Sequence, residues 1–111
     1  MKQMRAALFD SYGPPTVLYT GNVPIPAIGD DDVLVRVEAN SINGGEVLLR
    51  AGRISLLSRG SFPRRIGIDF VGEISAAGRS VSRLQIGDRV WGTIDEAHGF
   101  GAAAEYVAAT L

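Results

Sequence analysis

Short stretches of the chain place an apolar residue at every second position, a pattern typical of β-strands with one buried face. The clearest is residues 33–39, where three valines and Ala39 fall on one face and Arg36 and Glu38 on the other. Residues 6–10 and 17–23 flank a Gly-Pro-Pro turn and predict a β-hairpin. Further strands are predicted over residues 66–78, 89–94 and 104–108.

Only one segment carries clear helix signals. Asn43 is a favoured N-cap residue, Glu46 follows it at capping-box spacing, and Gly52 supplies a stop signal, so a short helix is predicted between Asn43 and Gly52. Arg50 lies four residues after Glu46, the spacing of an ion pair on a helix surface. Residues 53–65 are basic and rich in Ser and Gly and are predicted to form a mobile surface loop.

These elements predict a mainly β fold, a partly open β-barrel with one or two short helices, in one domain that covers residues 1–111. The glycine content supports this fold. The chain has 14 glycines among its 111 residues, about twice the usual share of roughly 7%, and this content fits many tight turns between short strands. Strands do not alternate with long helices, so a parallel nucleotide-binding sheet is not encoded in this chain.

Charge and composition limit the classes of partner and the kinds of chemistry that are expected for this chain. A net charge of -1, with Lys and Arg spread along the chain, favours neither nucleic acid nor an anionic membrane surface as a partner. The chain has no cysteine and only one histidine, His98, which excludes thiolate chemistry and a multi-histidine metal site. Without a signal-like or membrane-length apolar run, a cytoplasmic location is the default expectation.

The order of several short motifs resembles the N-terminal, chaperonin-10-like (GroES-like) domain of the medium-chain dehydrogenase/reductase superfamily over essentially all 111 residues. In zinc alcohol dehydrogenases a cysteine ligand and a histidine ligand stand at the places of Asn43 and Ile68. The sequence instead resembles the zinc-free quinone oxidoreductase branch. Departures from the pattern of that branch lie at Gly44, Glu46 and Leu48, and the matching residues are Asn43, Arg50, Gly52, Gly67 and Asp69. The motifs lie at residues 35–39, 43–46, 50–52, 67–72, 87–90 and 104–106.

The resemblance implies a catalytic-half domain of an oxidoreductase that uses NADPH or NADH, without zinc, to reduce quinones or activated double bonds. The cofactor would be bound mainly by a C-terminal Rossmann domain that this chain lacks, so we expect a domain fragment that is inactive alone. The expected partner is a small-molecule substrate, and a homodimer of the longer parent stays open. The alternative is a stand-alone GroES-like module for binding or assembly, without catalysis.

Asn43 and Arg50 are the candidate site residues. Asn43 is the catalytic and cofactor-binding candidate, its amide positioning the nicotinamide ring or bonding a substrate carbonyl, and the compatible alternative is a helix cap. Arg50 is the second cofactor-binding candidate, against the default of an ion pair with Glu46, whose own expected role is capping. Asp69 is interpreted chiefly as a buried structural carboxylate held by backbone amides, the alternative being a side chain that faces the cleft.

Other conspicuous residues receive structural interpretations. Trp91 is predicted to lie in the core and His98 in a solvent-exposed loop. Residues 99–104 match the letters Gly-x-Gly-x-x-Ala of a dinucleotide fingerprint but are predicted to form a glycine turn before the last strand. Four arginines of the basic loop are expected to be solvated, with contact to a cofactor phosphate or an acidic substrate as the alternative: Arg53, Arg59, Arg64 and Arg65.

Overall fold

The structure, a computed structural model, describes residues 2–53, 62–94 and 101–110. Within these ranges it contains seven β-strands, one α-helix and one 3-10 helix. The strands are β1 (Gln3–Phe9), β2 (Leu18–Pro24), β3 (Asp32–Ala39), β4 (Arg64–Arg65), β5 (Asp69–Ala77), β6 (Arg89–Thr93) and β7 (Tyr106–Thr110). The helices are a 3-10 turn (Pro15–Val17) and α1 (Gly44–Ala51).

All strand pairs are antiparallel, and the strands form two sheets. One sheet has the order β2-β1-β4 and the other the order β6-β5-β3-β7. An isolated bridge between Ala6 and Ala104 and a hydrogen bond of 2.8 Å from the Val37 N–H to the Glu105 carbonyl join the segment before β7 to both sheets. The sheets approach each other without closing, which confirms the predicted partly open barrel.

The main core cluster lies on the inner face of the four-stranded sheet. Its buried residues come from β3, β5 and β7 and from the segments next to β6 and β7, and they include Val35 and Ile74, both 0% exposed. Strand β5 buries alternate positions, Phe70, Gly72 and Ile74, as the sequence pattern predicts. At Gly72 a Cβ atom would lie 2.1 Å from the Arg36 carbonyl oxygen, so glycine allows β5 to approach β3.

The predicted hairpin is confirmed as β1 and β2, and the predicted helix as α1, which ends at Gly52 with a left-handed φ of 84°. The predicted loop over residues 53–65 is wrong at its end. Arg64 and Arg65 form strand β4, which pairs with β1, and both side chains are half-buried. Residues 54–61, including Arg59, lie outside the described ranges, whereas Arg53 is exposed as predicted.

The prediction that Trp91 lies in the core is wrong: its side chain is 84% exposed. Strand β6 lies at the edge of its sheet, and Val90 and Gly92 turn toward the protein, so the residue between them turns toward solvent. His98 lies outside the described residues. The segment that starts at Gly101 continues into strand β7 rather than a helix, which supports the rejection of a dinucleotide fingerprint there.

Candidate active site

The end of β3 and the start of β5 bring three polar side chains together. These strands are antiparallel neighbours with Ala39 opposite Val71, so residues that follow β3 lie beside residues that open β5. Ser41 and Asn43 follow β3, Asn43 immediately before α1, and Asp69 is the first residue of β5. We call Ser41, Asn43 and Asp69 the Asp69 cluster.

Asp69 is the acceptor at the centre of this cluster. Its Oδ2 accepts a hydrogen bond of 2.8 Å from the Ser41 hydroxyl and one of 3.0 Å from Nδ2 of Asn43. These two bonds, that from Asn43 first, hold the pKa of the Asp69 carboxyl below its ordinary value, and partial desolvation opposes them weakly. Asp69 is therefore an anion at neutral pH. Its donors here are side chains of the site, not the backbone amides that the sequence suggested.

Asn43 is the N-cap residue of α1, with an extended backbone at φ -105° and ψ 157°. Glu46 accepts the Asn43 backbone N–H at 2.6 Å, which confirms its predicted capping role. The Glu46 side chain is buried, at 3% exposure, so α1 starts at a fixed position. Asn43 thus has its backbone held by Glu46 and its side-chain amide held by Asp69.

Arg50 does not join this cluster. It lies on the last turn of α1, seven residues or roughly 10 Å along the helix from Asn43. Its guanidinium Nη1 donates to the Gly13 carbonyl, while the Gly13 N–H donates to the Arg50 carbonyl at 2.9 Å. The predicted surface ion pair with Glu46 is wrong, because both side chains are buried and no such pair forms between these described residues. Its role toward a cofactor stays a prediction.

Ser41 is the site residue that sequence analysis missed. Its bond to Asp69 joins positions 28 residues apart, and nothing in the local pattern indicates that β3 pairs with β5. The only signal in the sequence is chemical: the Ser41 hydroxyl and the Asn43 amide can both donate a hydrogen bond to a nearby carboxylate. Only the pairing of β3 with β5 identifies that carboxylate as Asp69.

The surface around the Asp69 cluster is open. Ile42 is 73% exposed, and a Cβ atom at Gly44 or Gly45 would meet nothing within 4 Å. Asn43 Nδ2 carries two N–H groups, of which Asp69 takes one. The second N–H can donate to the carboxamide oxygen of a nicotinamide ring or to a substrate carbonyl oxygen, so the residues present fit contact with that cofactor.

The same residues do not fit a catalytic zinc ion. The chain has no cysteine, and Asn43 and Ile68 supply an amide and an alkyl group where thiolate or imidazole donors would be needed. Within the described ranges, no group of three or more His, Cys, Asp or Glu side chains is placed to hold a metal.

No helix in those ranges has the length and apolar character needed to cross a membrane.

Comparison with known proteins identifies the class. Residues 29–110 match the family described as the alcohol dehydrogenase GroES-like domain, and the chain belongs to that family. A chloroplastic quinone-oxidoreductase homolog of Spinacia oleracea is 34% identical over 109 residues, which are 97% of this chain and 33% of the relative. An L-threonine 3-dehydrogenase of Rhizobium etli is 36% identical over 92 residues, 83% of this chain and 26% of the relative.

A solved structure gives the same result in three dimensions. The quinone oxidoreductase from Coxiella burnetii superposes with a TM-score of 0.90 at 33% identity, over 98% of this chain and 35% of that chain. The chain therefore has the fold of one domain of these proteins and spans about a third or less of their length.

Proposed function

We propose that this chain is the N-terminal catalytic-half domain of a zinc-independent, NAD(P)H-dependent oxidoreductase that reduces quinones or activated carbon-carbon double bonds. The observation that carries the proposal is the Asp69 cluster, in which an ionised carboxylate fixes the Asn43 amide at an open surface. Similarity to two proteins named as quinone oxidoreductases supports the substrate class. We further propose a cytoplasmic location and a homodimeric longer parent, with NADPH or NADH as the cofactor.

In this proposal, residues of the chain orient the substrate or the nicotinamide ring and polarise its carbonyl group. A reduced nicotinamide, when bound, supplies the hydride. Asp69 draws one N–H of Asn43 toward itself, which fixes the side-chain rotamer and aims the second N–H away from Asp69. That N–H donates to the carbonyl oxygen of the substrate or of the nicotinamide carboxamide. Such a preorganised donor stabilises negative charge that develops on an acceptor oxygen.

Zinc independence follows in this proposal from the donor set. Without thiolate or imidazole groups at Asn43 and Ile68, polarisation of the acceptor rests on hydrogen-bond donors.

Alcohol oxidation is the second candidate function, favoured by the similarity to an L-threonine 3-dehydrogenase. A binding or assembly module without catalysis is the third. The chain spans only about a third of its quinone-oxidoreductase relatives, so a test of turnover needs a nucleotide-binding half.

A chimera provides that half. Residues 1–111 replace the superposed segment of the Coxiella burnetii quinone oxidoreductase, and oxidation of NADPH is followed at 340 nm with 1,4-benzoquinone or an α,β-unsaturated aldehyde. We expect turnover by the chimera and none by the 111-residue chain alone. Asn43→Ala in the chimera is expected to lower kcat about a hundredfold, the lower end of the effect of losing one preorganised donor.

Asn40 offers a matched control three residues away. Its Nδ2 donates to the Ser41 carbonyl at 3.2 Å and does not contact Asp69, so Asn40→Ala should leave kcat within about twofold. A folded chimera that binds NADPH but reduces neither acceptor would reject the proposal. Turnover of L-threonine with NAD⁺ that requires added zinc would favour alcohol oxidation. Equal losses in the Asn43 and Asn40 variants would remove Asn43 from the mechanism.

A further inference from the structure

One cavity of the structure shares no residue with the Asp69 cluster. The cavity measures about 180 Å³ and opens to solvent on one side. Apart from Arg65, its walls are apolar side chains and backbone, contributed by Pro26, Ala27, Ile94, Gly101, Val107 and Ala108.

Arg65 is the one charged residue of this wall, and its guanidinium is only partly satisfied. Nη2 donates to the Gly101 carbonyl at 3.0 Å, whereas Nε is shielded from solvent and has no hydrogen-bond partner among the residues that the structure describes. None of the ion pairs formed in those ranges includes Arg65. Burial lowers the pKa of the guanidinium, the direction expected for a cation without a nearby anion.

Gly101 makes the room for this guanidinium. A Cβ atom on Gly101 would lie 2.6 Å from Nε and 2.7 Å from Cζ of Arg65. The side chain thus sits directly against the Gly101 backbone, at the edge of the cavity. Nε is covered by the Gly101 backbone, so a ligand would meet the part of the Arg65 side chain that lines the cavity. A partly buried cation without an anionic partner beside an empty volume forms an incomplete site, because burial of an unpaired charge is unfavourable.

We propose that this cavity binds a short-chain organic carboxylate, with the carboxylate group paired to Arg65 and the apolar tail packed against Ile94 and Val107. An apolar cavity of about 150 Å³ can hold a molecule of the size of benzene, so a volume of about 180 Å³ suits an anion of about four to six non-hydrogen atoms. The apolar side chains of Ile94 and Val107 beside a single cation favour a monoanion with an alkyl tail over phosphate, which needs more donors. This inference does not depend on the function proposed above.

Titration of the 111-residue chain with sodium butyrate, at constant ionic strength set with NaCl, tests the proposal. The readout is the Arg65 side-chain Nε–H resonance in ¹H–¹⁵N spectra. We expect a saturable shift, with acetate weaker than butyrate by about fourfold for each methylene that the longer tail buries. Neutral 1-butanol should give no saturable shift, because it lacks the charge, and inorganic phosphate should bind more weakly than butyrate.

Variants test whether Arg65 is the cation that pairs with the carboxylate. Arg65→Met is expected to weaken butyrate binding at least tenfold, followed by the backbone resonances of Val107 and Ala108, whereas Arg53→Met removes the same charge from an exposed position and should leave binding unchanged. Arg65→Lys keeps the charge without the planar guanidinium and should bind several-fold more weakly, which keeps the test valid if Arg65→Met does not fold. Gly101→Ala should also weaken binding, because its Cβ displaces the guanidinium.

Three results would overturn the proposal: no saturable shift, equal binding by Arg65→Met and the unaltered chain, or phosphate binding more tightly than butyrate. Asp95 and Glu96 follow Ile94 in the sequence and lie outside the described residues. The double variant D95N/E96Q should retain butyrate binding. A response that appears only in this variant would assign Arg65 to the chain's own carboxylates and would also overturn the proposal.

Discussion

Replacement of Gly72 by alanine tests how the close approach of β3 and β5 supports the fold and the site. Gly72 pairs with Val37, and a Cβ atom there would lie 2.1 Å from the Arg36 carbonyl oxygen and 2.9 Å from Val35 Cγ1. Contacts under 3.0 Å are essentially unknown for real Cβ atoms, so the two strands must separate by about 1 Å. Neighbouring strands lie about 4.8 Å apart, so this displacement breaks hydrogen bonds between them.

The expected cost follows from these contacts. Overpacking of this kind costs about 1–3 kcal/mol, and each disrupted hydrogen bond adds about 1 kcal/mol. The lower backbone entropy of alanine in the unfolded chain offsets about 0.4–1 kcal/mol. We expect Gly72→Ala to lower the free energy of unfolding by about 3 kcal/mol. It should also shift the Asn43 side-chain amide resonance, because Asp69 lies three residues along the same strand.

Urea unfolding followed by far-ultraviolet circular dichroism measures the effect. The matched control is Gly92→Ala on the adjacent strand β6, where the nearest atom to a new Cβ is Phe70 Cζ at 3.5 Å, an ordinary contact. We expect this variant to be as stable as the unaltered chain or up to about 1 kcal/mol more stable. If Gly72→Ala came within about 0.5 kcal/mol of Gly92→Ala, the steric argument would be refuted.

Three further predictions concern single positions. The pKa of Asp69 is depressed, so its contribution to stability is complete above its unfolded-state pKa of about 3.9 and is lost as pH falls through the lower folded value. Its carboxyl ¹³C resonance should therefore titrate below about pH 3.9, and Asn43→Ala should raise the midpoint. Trp91 is 84% exposed, so acrylamide should quench its fluorescence nearly as in a free peptide, and Trp91→Ala should change stability by less than about 0.5 kcal/mol in urea unfolding. Ile74 is 0% exposed, so Ile74→Ala should cost about 2–5 kcal/mol in the same assay, and a cost under about 1 kcal/mol would contradict the assigned core.

The sequence by itself determined the local elements of this protein. The alternation over residues 33–39 predicts β3, and the signals at Asn43, Glu46 and Gly52 predict α1, because strand faces and helix ends depend on residues a few positions apart. The alternation along β6 also indicates that Trp91 is exposed, because Trp91 shares its face with Arg89 and Thr93 rather than with Val90.

Only the tertiary structure decided which of these elements meet. Asp69 acquires Ser41 and Asn43 as donors because β3 pairs with β5, and Arg50 turns to Gly13 rather than to Glu46 on its own helix. Arg65, expected in a solvated loop, becomes half-buried because β4 pairs with β1. The three side-chain hydrogen bonds join residues 26 to 37 positions apart, and the pairing of β4 with β1 places Arg65 opposite Leu8. No short-range pattern encodes them, because they depend on which strands pair and in which register.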